Sequence, residues 1–329
     1  MTHSFTISRR DALLWGAACT LGVGSSAWAQ GKYPEQTVRL IVALPPGGSV
    51  DMIARTLADR LKLSLGQAWI VDNRAGGSGQ IGMPLVARAG PDGYTLAVSP
   101  ASFLTTNKSI FKSLPYDPLT DFAPVSRLVN QPMVLVVSDK QKYPNVAALI
   151  AAARAAPGTL SYASSGDGSP QHLAGLLFET RTQTKLLHVP YRGGALAIND
   201  TLGGTVQAMF AVMPEALPHV RAGKLHALGV MSRTRASTMP QVPTMAEAGV
   251  ADLNLSAWMA LLAPAKTPRS IIEQLNRAVV AAFDTELRTR LADLGIEVAT
   301  STPEELQSLI AQELKLHAEL VKAAGLVPQ

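Results

Sequence analysis

Val38-Arg39-Leu40-Ile41-Val42-Ala43-Leu44-Pro45-Pro46-Gly47-Gly48-Ser49-Val50-Asp51-Met52-Ile53-Ala54-Arg55 reads as a buried strand, a Pro-Pro-Gly-Gly turn and the first turns of a helix. A junction of this kind aims free backbone N–H groups and the positive end of a helix dipole at one point in space. It makes a pocket for an anion without spending a charged side chain. The same architecture recurs at Ser161–Leu176 and at His188–Leu202. Three strand–glycine–helix junctions point to a receptor for a small acid rather than to a catalyst.

Outward from that junction the chain alternates strand and helix. Val50–Leu65 reads as helix and Ala68–Asp72 as strand; the glycine-rich turn Asn73–Gly79 opens a helix from Gln80 to Ala89, and Tyr94–Ser99 is a strand. This rhythm predicts an α/β fold, a mostly parallel sheet with helices on its faces. Thr105–Pro124 is rich in proline and reads as irregular, and Met133–Ser138 is an apolar strand entering a second lobe. There the rhythm resumes, with helices at Asn145–Ala155, Gln171–Thr180 and Ala195–Leu202, and strands at Leu160–Ala163, Leu186–Val189, Thr205–Ala211 and Leu225–Val230. Ala257–Ala263 returns to the first lobe, and two amphipathic helices close the chain, the second from Pro303 to Ala323 behind the N-cap Thr302. The first lobe is thus expected over 30–130 and 255–329, the second over 131–254. Two or more crossings between lobes imply a hinge, with the ligand between them.

The N-terminus reads as a targeting segment. Arg9-Arg10, an apolar run from Ala12 to Val23 and the small-x-small site Ala27-Trp28-Ala29 form an export signal, cleaved after Ala29 to leave Gln30 in a periplasm. The arginines resemble a twin-arginine signal, and a Sec signal can carry them too. Cys19 is the single cysteine, so the mature chain has neither a disulfide nor a thiol nucleophile. The net charge of +5 is scattered among 329 residues; no basic run or basic–aromatic pattern marks a nucleic-acid partner. No heptad or apolar stripe is left over, and a monomer is expected.

Several motifs compete with the receptor reading. Gly77-Ser78-Gly79-Gln80-Ile81-Gly82 fits a dinucleotide fingerprint, but Val98–Phe103 lacks the acid expected about 20 residues on; a tight loop is the simpler role, and no cofactor is expected. None of the histidines His172, His188, His219, His226 and His317 pairs with another ligand type at metal spacing, so no metal is expected. A serine hydrolase would use Ser164, Ser165 or Ser169 with His172, yet the G-x-S-x-G elbow is absent; no catalytic residue is assigned. Binding suits Ser164-Ser165-Gly166-Asp167-Gly168-Ser169 better, since hydroxyls and flexible backbone at a helix start supply neutral donors. His172 follows at the helix start, either as a neutral donor or as a residue that shapes the loop. Tyr191-Arg192-Gly193 offers a phenol and a guanidinium, and Arg192 either clamps a carboxylate or sits on the rim. Asp51 and Asp200 are candidates for a ligand hydroxyl, amine or water, and Asp51 equally for its own helical turn. Leu44, Pro46, Gly47 and Gly48 from the first junction, Ser99 and Ala101 beyond the third strand, and Ala211 complete the candidate set.

In order and spacing these motifs resemble the Bug-type receptors of the tripartite tricarboxylate transporters over nearly the whole mature chain. The resemblance rests on Leu44-Pro45-Pro46-Gly47-Gly48 with Asp51 and Arg55, on Asn73-Arg74, Asp92-Gly93-Tyr94-Thr95-Leu96 and Pro115-Tyr116-Asp117-Pro118, and on Tyr162–Ser169 with Gln171-His172-Leu173. Val189-Pro190-Tyr191-Arg192-Gly193 and Val242–Gly249 extend it. It implies a two-lobed periplasmic binding fold, type II-like, that closes over a small organic acid. The carboxylate would be held by main-chain N–H groups and water, and the loaded receptor would dock on a large and a small membrane subunit. A role as sensor for a membrane kinase is the alternative. Leu44 stands where such receptors often have Phe, Leu196 for Pro, Ala211 for Asp, and Leu176 for an acid. The loss of acids argues for a carboxylate without an α-amino group and with an apolar or aromatic body.

Overall fold

A computed structural model of the chain describes residues 33–323 and 328; the export signal and the cleavage point after Ala29 lie outside the described residues. In chain order come β1 (Val38–Val42), α1 (Ser49–Leu65), β2 (Trp69–Asn73), a tight turn at Gly77–Gly79, α2 (Gly82–Ala87), β3 (Thr95–Pro100), α3 (Ala101–Thr105) and α4 (Asn107–Ile110). A long β4 (Phe122–Val137) leads to α5 (Val146–Ala155), β5 (Ser161–Ser164), α6 (Pro170–Thr182), β6 (Leu187–Pro190), α7 (Gly194–Leu202), β7 (Ala208–Val212), α8 (Met213–Arg221) and β8 (His226–Val230). The chain ends with β9 (Ser256–Pro264), α9 (Arg269–Ala282), α10 (Thr285–Asp293), β10 (Glu297–Val298) and α11 (Pro303–Ala323).

Two parallel trios repeat one topology. β1 lies between β2 and β3, and β5 lies between β6 and β7, all in parallel pairing. In each trio the chain starts on the middle strand, crosses to one side and then to the other. That reversal opens a crevice at the carboxyl end of the middle strand. The remaining pairs are antiparallel: β9 joins β3 to β4, β10 adds to β4, and the far end of β4 takes β7 and β8. β4 serves both halves, with Phe122–Pro132 on β9 and Met133–Val137 on β7.

The prolines hid the first half of β4 from the sequence reading, which placed a strand only from Met133. The register shift at Pro124/Ser126 shows the device: a bulge lets a proline, which cannot donate to the ladder, stay in a paired strand. The sequence reading assigned no element between Ala211 and Leu225, where α8 stands; Pro214 sits in its first turn, where a missing N–H costs nothing, and Pro218 lies inside it. The core follows strand alternation. In β7, Ala208, Phe210 and Val212 join one apolar cluster while Met209 and Ala211 join the cluster on the opposite face. On α1, Val50, Ile53, Ala54, Leu57 and Leu61 are buried at the spacing of one helical face.

Candidate functional site

The loops at the carboxyl ends of β1 and β5 open onto one cleft of about 530 Å³. Its walls are Leu44–Pro46 and Gly48–Val50 after β1, Ser78 after β2, Pro100, Ser102 and Phe103 after β3, Gln131 from β4, Ser165, Asp167 and Ser169–Gln171 after β5, and Arg192–Leu196 after β6; Val212 and Glu215 follow from the β7–α8 junction, and Ala257–Met259 from β9. Four helices of nine residues or more therefore begin at the cleft: α1, α6, α7 and α8. The first intrahelical bonds are Met52 N–H to Gly48, Leu173 N–H to Ser169 and Ala197 N–H to Gly193. The N–H groups of Ser49, Val50, Gln171, Gly194, Ala195 and Leu196 precede them and have no backbone acceptor among the described residues. Four dipole ends and the free donors of three of them at one cavity make a strongly anion-seeking surface. Between them the wall is apolar, with Leu44, Phe103, Leu196, Trp258 and Met259.

Seven of the sequence candidates line this cleft: Leu44, Pro46, Gly48, Ser165, Ser169, Arg192 and Gly193. Arg192 is exposed at the rim and has no ion-pair partner among the described residues. Ser165 Oγ donates to Gln171 Oε1 at 2.9 Å, and Ser169 Oγ caps α6 by accepting His172 N–H at 3.3 Å.

The other candidates stand behind the wall and shape it. Asp51 accepts Gly47 N–H at 3.1 Å, pairs with Arg55 at 2.9 and 3.0 Å and accepts Asn73 Nδ2 at 3.0 Å. Burial alone would raise its carboxyl, but Arg55, the Gly47 amide and Asn73 together hold it below the usual range. Asn73 also donates to Leu44 O at 3.1 Å, so this cluster fixes the Leu44–Gly48 turn and uses up the Gly47 donor. Tyr191 Oη donates to Asp200 at 2.7 Å, closing that pair on itself. Ser99 is buried in β3 and donates to Pro100 O at 3.1 Å; Ala101 and Ala211 lie in the core. Each misses the cleft by one position, since Pro100, Ser102 and Val212 do line it.

Under the β5–α6 loop lies an arrangement the sequence did not reveal. His172 and His188, read as unpaired, stack with ring centroids 3.8 Å apart and planes at 8°. His172 Nδ1 accepts Gly168 N–H at 3.1 Å, which leaves its proton on Nε2. His188 Nε2 meets Ser164 Oγ at 2.6 Å, and its Nδ1 is 3.7 Å from Asp167. Ser164 is fully buried, so this serine–histidine–aspartate sequence presents no nucleophile to the cleft. Asp167, His172 and His188 are also close enough to suggest a cation site, but parallel rings point their lone pairs side by side, and two of the nitrogens are already bonded. The cluster instead braces the loop. Gly166 and Gly168 belong to that brace: Gly168 has φ +73°, and a Cβ there would press on Ile110 at 2.8 Å.

Sequence reasoning missed Gln131, Glu215 and the aromatic wall. Gln131 lies in β4, is 1% exposed and lines the cleft, and its Nε2 has no partner among the described residues. Glu215 sits in the first turn of α8, its carboxylate against Gly194 and 3.5 Å from Gln171 Nε2. Because it opens onto the lumen rather than bulk water, desolvation still pushes its carboxyl up to about 7. The one available signal was a fourth strand-to-helix junction at Phe210–Leu217, which carries no glycine. In the Gly77–Gly82 motif, Gly79 and Gly82 are required by packing, since Cβ atoms there would collide with Phe103 and Ala43, while Ser78 lines the cleft and was missed as well.

A family model for the tripartite tricarboxylate transporter family receptor matches residues 53–326. The chain belongs to that family. This receptor is 39% identical to protein BugT of Bordetella pertussis over 308 residues, 93% of this chain and 94% of the relative. Among solved structures, an R. palustris protein with adipate superposes with a TM-score of 0.87 at 34% identity, covering 90% of this chain and 100% of that one. The periplasmic binding protein BugD gives 0.85 at 34% identity with the same coverage. The fold is that of periplasmic binding proteins, and the family is one of periplasmic solute-binding receptors for tripartite transporters.

Proposed function

We propose that this receptor captures a small organic carboxylate in the cleft and hands it, unchanged, to the large and small membrane subunits of its transporter. The observation that carries the reading is the convergence of the α1, α6, α7 and α8 N-termini on one cavity. Gln131 Nε2, a buried donor without a partner, adds a group that a carboxylate oxygen would satisfy. Arg192 supplies the charge at the rim. Leu44, Pro46, Gly48, Ser165, Ser169 and Gly193 complete the lining, and Phe103, Trp258 and Met259 accept an apolar body. The adipate bound by the R. palustris relative supports a ligand of this class.

The halves 30–130 with 255–329 and 131–254 act as lobes in this reading. They hinge where β4 passes from β9 to β7 at Gln131–Met133 and where the chain re-enters at Ser256. Cleavage after Ala29 releases a monomeric receptor into the periplasm. A thermal-shift screen of the chain from Gln30 tests the assignment with mono-, di- and tricarboxylic, aromatic and amino acids. A ligand at about a hundred times its Kd adds about 2.7 kcal/mol, a readily measured rise in Tm. Stabilisation by one class of acid is the expected result. Silence toward every acid from folded protein, with mass spectrometry finding no retained ligand, overturns it.

A further inference from the structure

Two charged groups of opposite sign face the cleft and neither has a charged partner within it. Arg192, from the β6–α7 loop, makes no ion pair among the described residues. Among the described residues Glu215, from α8, meets only the neutral amide of Gln171 at 3.5 Å, with its carboxylate against the small Gly194 at the start of α7. The third charged lining residue, Asp167 on the β5–α6 loop, faces His188 at 3.7 Å. A carboxylate held out of bulk water without a cation is costly, and a ligand that brings a donor to it recovers that cost.

We infer that Glu215 is the specificity-determining residue of the cleft, and that the preferred ligand is an organic acid bearing a hydrogen-bond donor, a hydroxyl or an ammonium group, apart from its carboxylate. The carboxylate goes to Arg192 and the free helix-end donors; the donor goes to Glu215. This rests on the carboxylate reading above and narrows it. The acid missing at Ala211 is offset: Ala211, in β7, points into the core, and Glu215, four residues on in the first turn of α8, puts a carboxylate into the lumen. Burial that raises the Glu215 carboxyl fits a group waiting for a donor, because an ammonium beside it would restore the ionised form.

The test is calorimetric titration of the mature receptor with acids of one carbon skeleton, unsubstituted, hydroxylated and aminated, in two buffers of different ionisation enthalpy. Glu215→Gln and Glu215→Ala are titrated alongside, with folding checked by Tm. The expected result is a preference of at least about tenfold for one donor-bearing acid, equivalent to 1.4 kcal/mol, which shrinks to within threefold in both variants. The inference is overturned if unsubstituted acids bind as tightly or more tightly. It is also overturned if they bind with uptake of a proton, since Glu215 would then act as a neutral donor to the ligand carboxylate. A preference that survives both substitutions overturns it as well. Failure of every acid to bind overturns the carboxylate reading itself, and this inference with it; binding without discrimination overturns this inference alone.

Discussion

Trp258 Nε1 donates to both carboxylate oxygens of Glu313, at 3.0 and 2.9 Å. Trp258 is a wall of the cleft, while Glu313 stands on α11, the last helix of the chain. Burial raises the Glu313 carboxyl, opposed by the indole bond and by Arg127. The C-terminal helix thus sets the orientation of an aromatic wall through one bifurcated bond. Removing the acceptor with Glu313→Ala leaves a buried N–H unpaired and should cost about 1–3 kcal/mol. Glu313→Gln keeps an acceptor and should cost less than half as much. Urea denaturation of both variants checks the order; equal losses would show that the indole bond is not the cause.

Gln131 yields a prediction with opposite signs for stability and binding. An unpaired buried amide is a liability in the empty receptor and an asset when a carboxylate meets it. Gln131→Met keeps the volume and removes the donor. The empty variant should be as stable as the parent or more so, and its affinity for the acid should fall about tenfold. Chemical denaturation and titration on the same preparation separate the two. A variant that loses stability yet binds normally would mean that Gln131 holds up the β4 crossing rather than the ligand.

The strand–helix rhythm was legible because glycine and proline mark its junctions, and the first three junctions do open onto the cleft. What stayed hidden depends on distance in sequence. His172 and His188 stack because α6, which carries His172, packs against β6, where His188 stands in register with Tyr162 of β5; no local pattern encodes that. Ser99 and Ala101 flank the end of the third strand, and Ala211 entered through the family resemblance; at such positions a shift of one residue exchanges core for lumen. Glu215 follows a junction without glycine, in a helix that carries Pro214 and Pro218, and the first half of β4 contains Pro124, which sits beside a bulge. The Asp51 cluster was half legible: its place in the first turn was plain, while Asn73, 22 residues on, was not.

Acid sensitivity follows from three buried histidines. Burial lowers His317 to about 4 and His188 to about 3, the latter also repelled by His172, which burial lowers too. Unfolded histidine titrates near 6.5, so between the folded and unfolded values the unfolded chain binds more protons. The stability these groups contribute is present above about 6.5 and is lost as pH falls towards their folded values. For His317, bonded through Nδ1 to Thr106 at 3.0 Å, that amounts to about 3 kcal/mol across the window. Glu215 runs the other way: its raised carboxyl favours folding at low pH, and that contribution is lost as pH rises through about 7. Melting temperature recorded from pH 8 to 4 should fall on the acid side, and His317→Gln should flatten that limb. An unchanged limb in the variant would assign the acid loss to the His172–His188 pair.

Gly194 and Glu215 should be energetically coupled, because a Cβ at Gly194 would overlap the Glu215 carboxylate. Gly194 opens α7 without a left-handed φ, so alanine is acceptable to the backbone, and only the side chain across the cleft objects. In the parent, Gly194→Ala must push Glu215 away from the start of α7, which offsets any gain from replacing a helical glycine. In a Glu215→Ala background the space is vacant, and the same substitution should stabilise the protein by about 0.5 kcal/mol or more through reduced chain entropy. The sign of the Gly194→Ala effect should therefore reverse between the two backgrounds, with a coupling of about 1 kcal/mol in a double-mutant cycle. Binding should respond in step: Gly194→Ala weakens acid recognition when Glu215 is present and changes it little when Glu215 is absent. Additive effects in the cycle would mean that Glu215 moves freely in the lumen and is not seated against the α7 N-terminus.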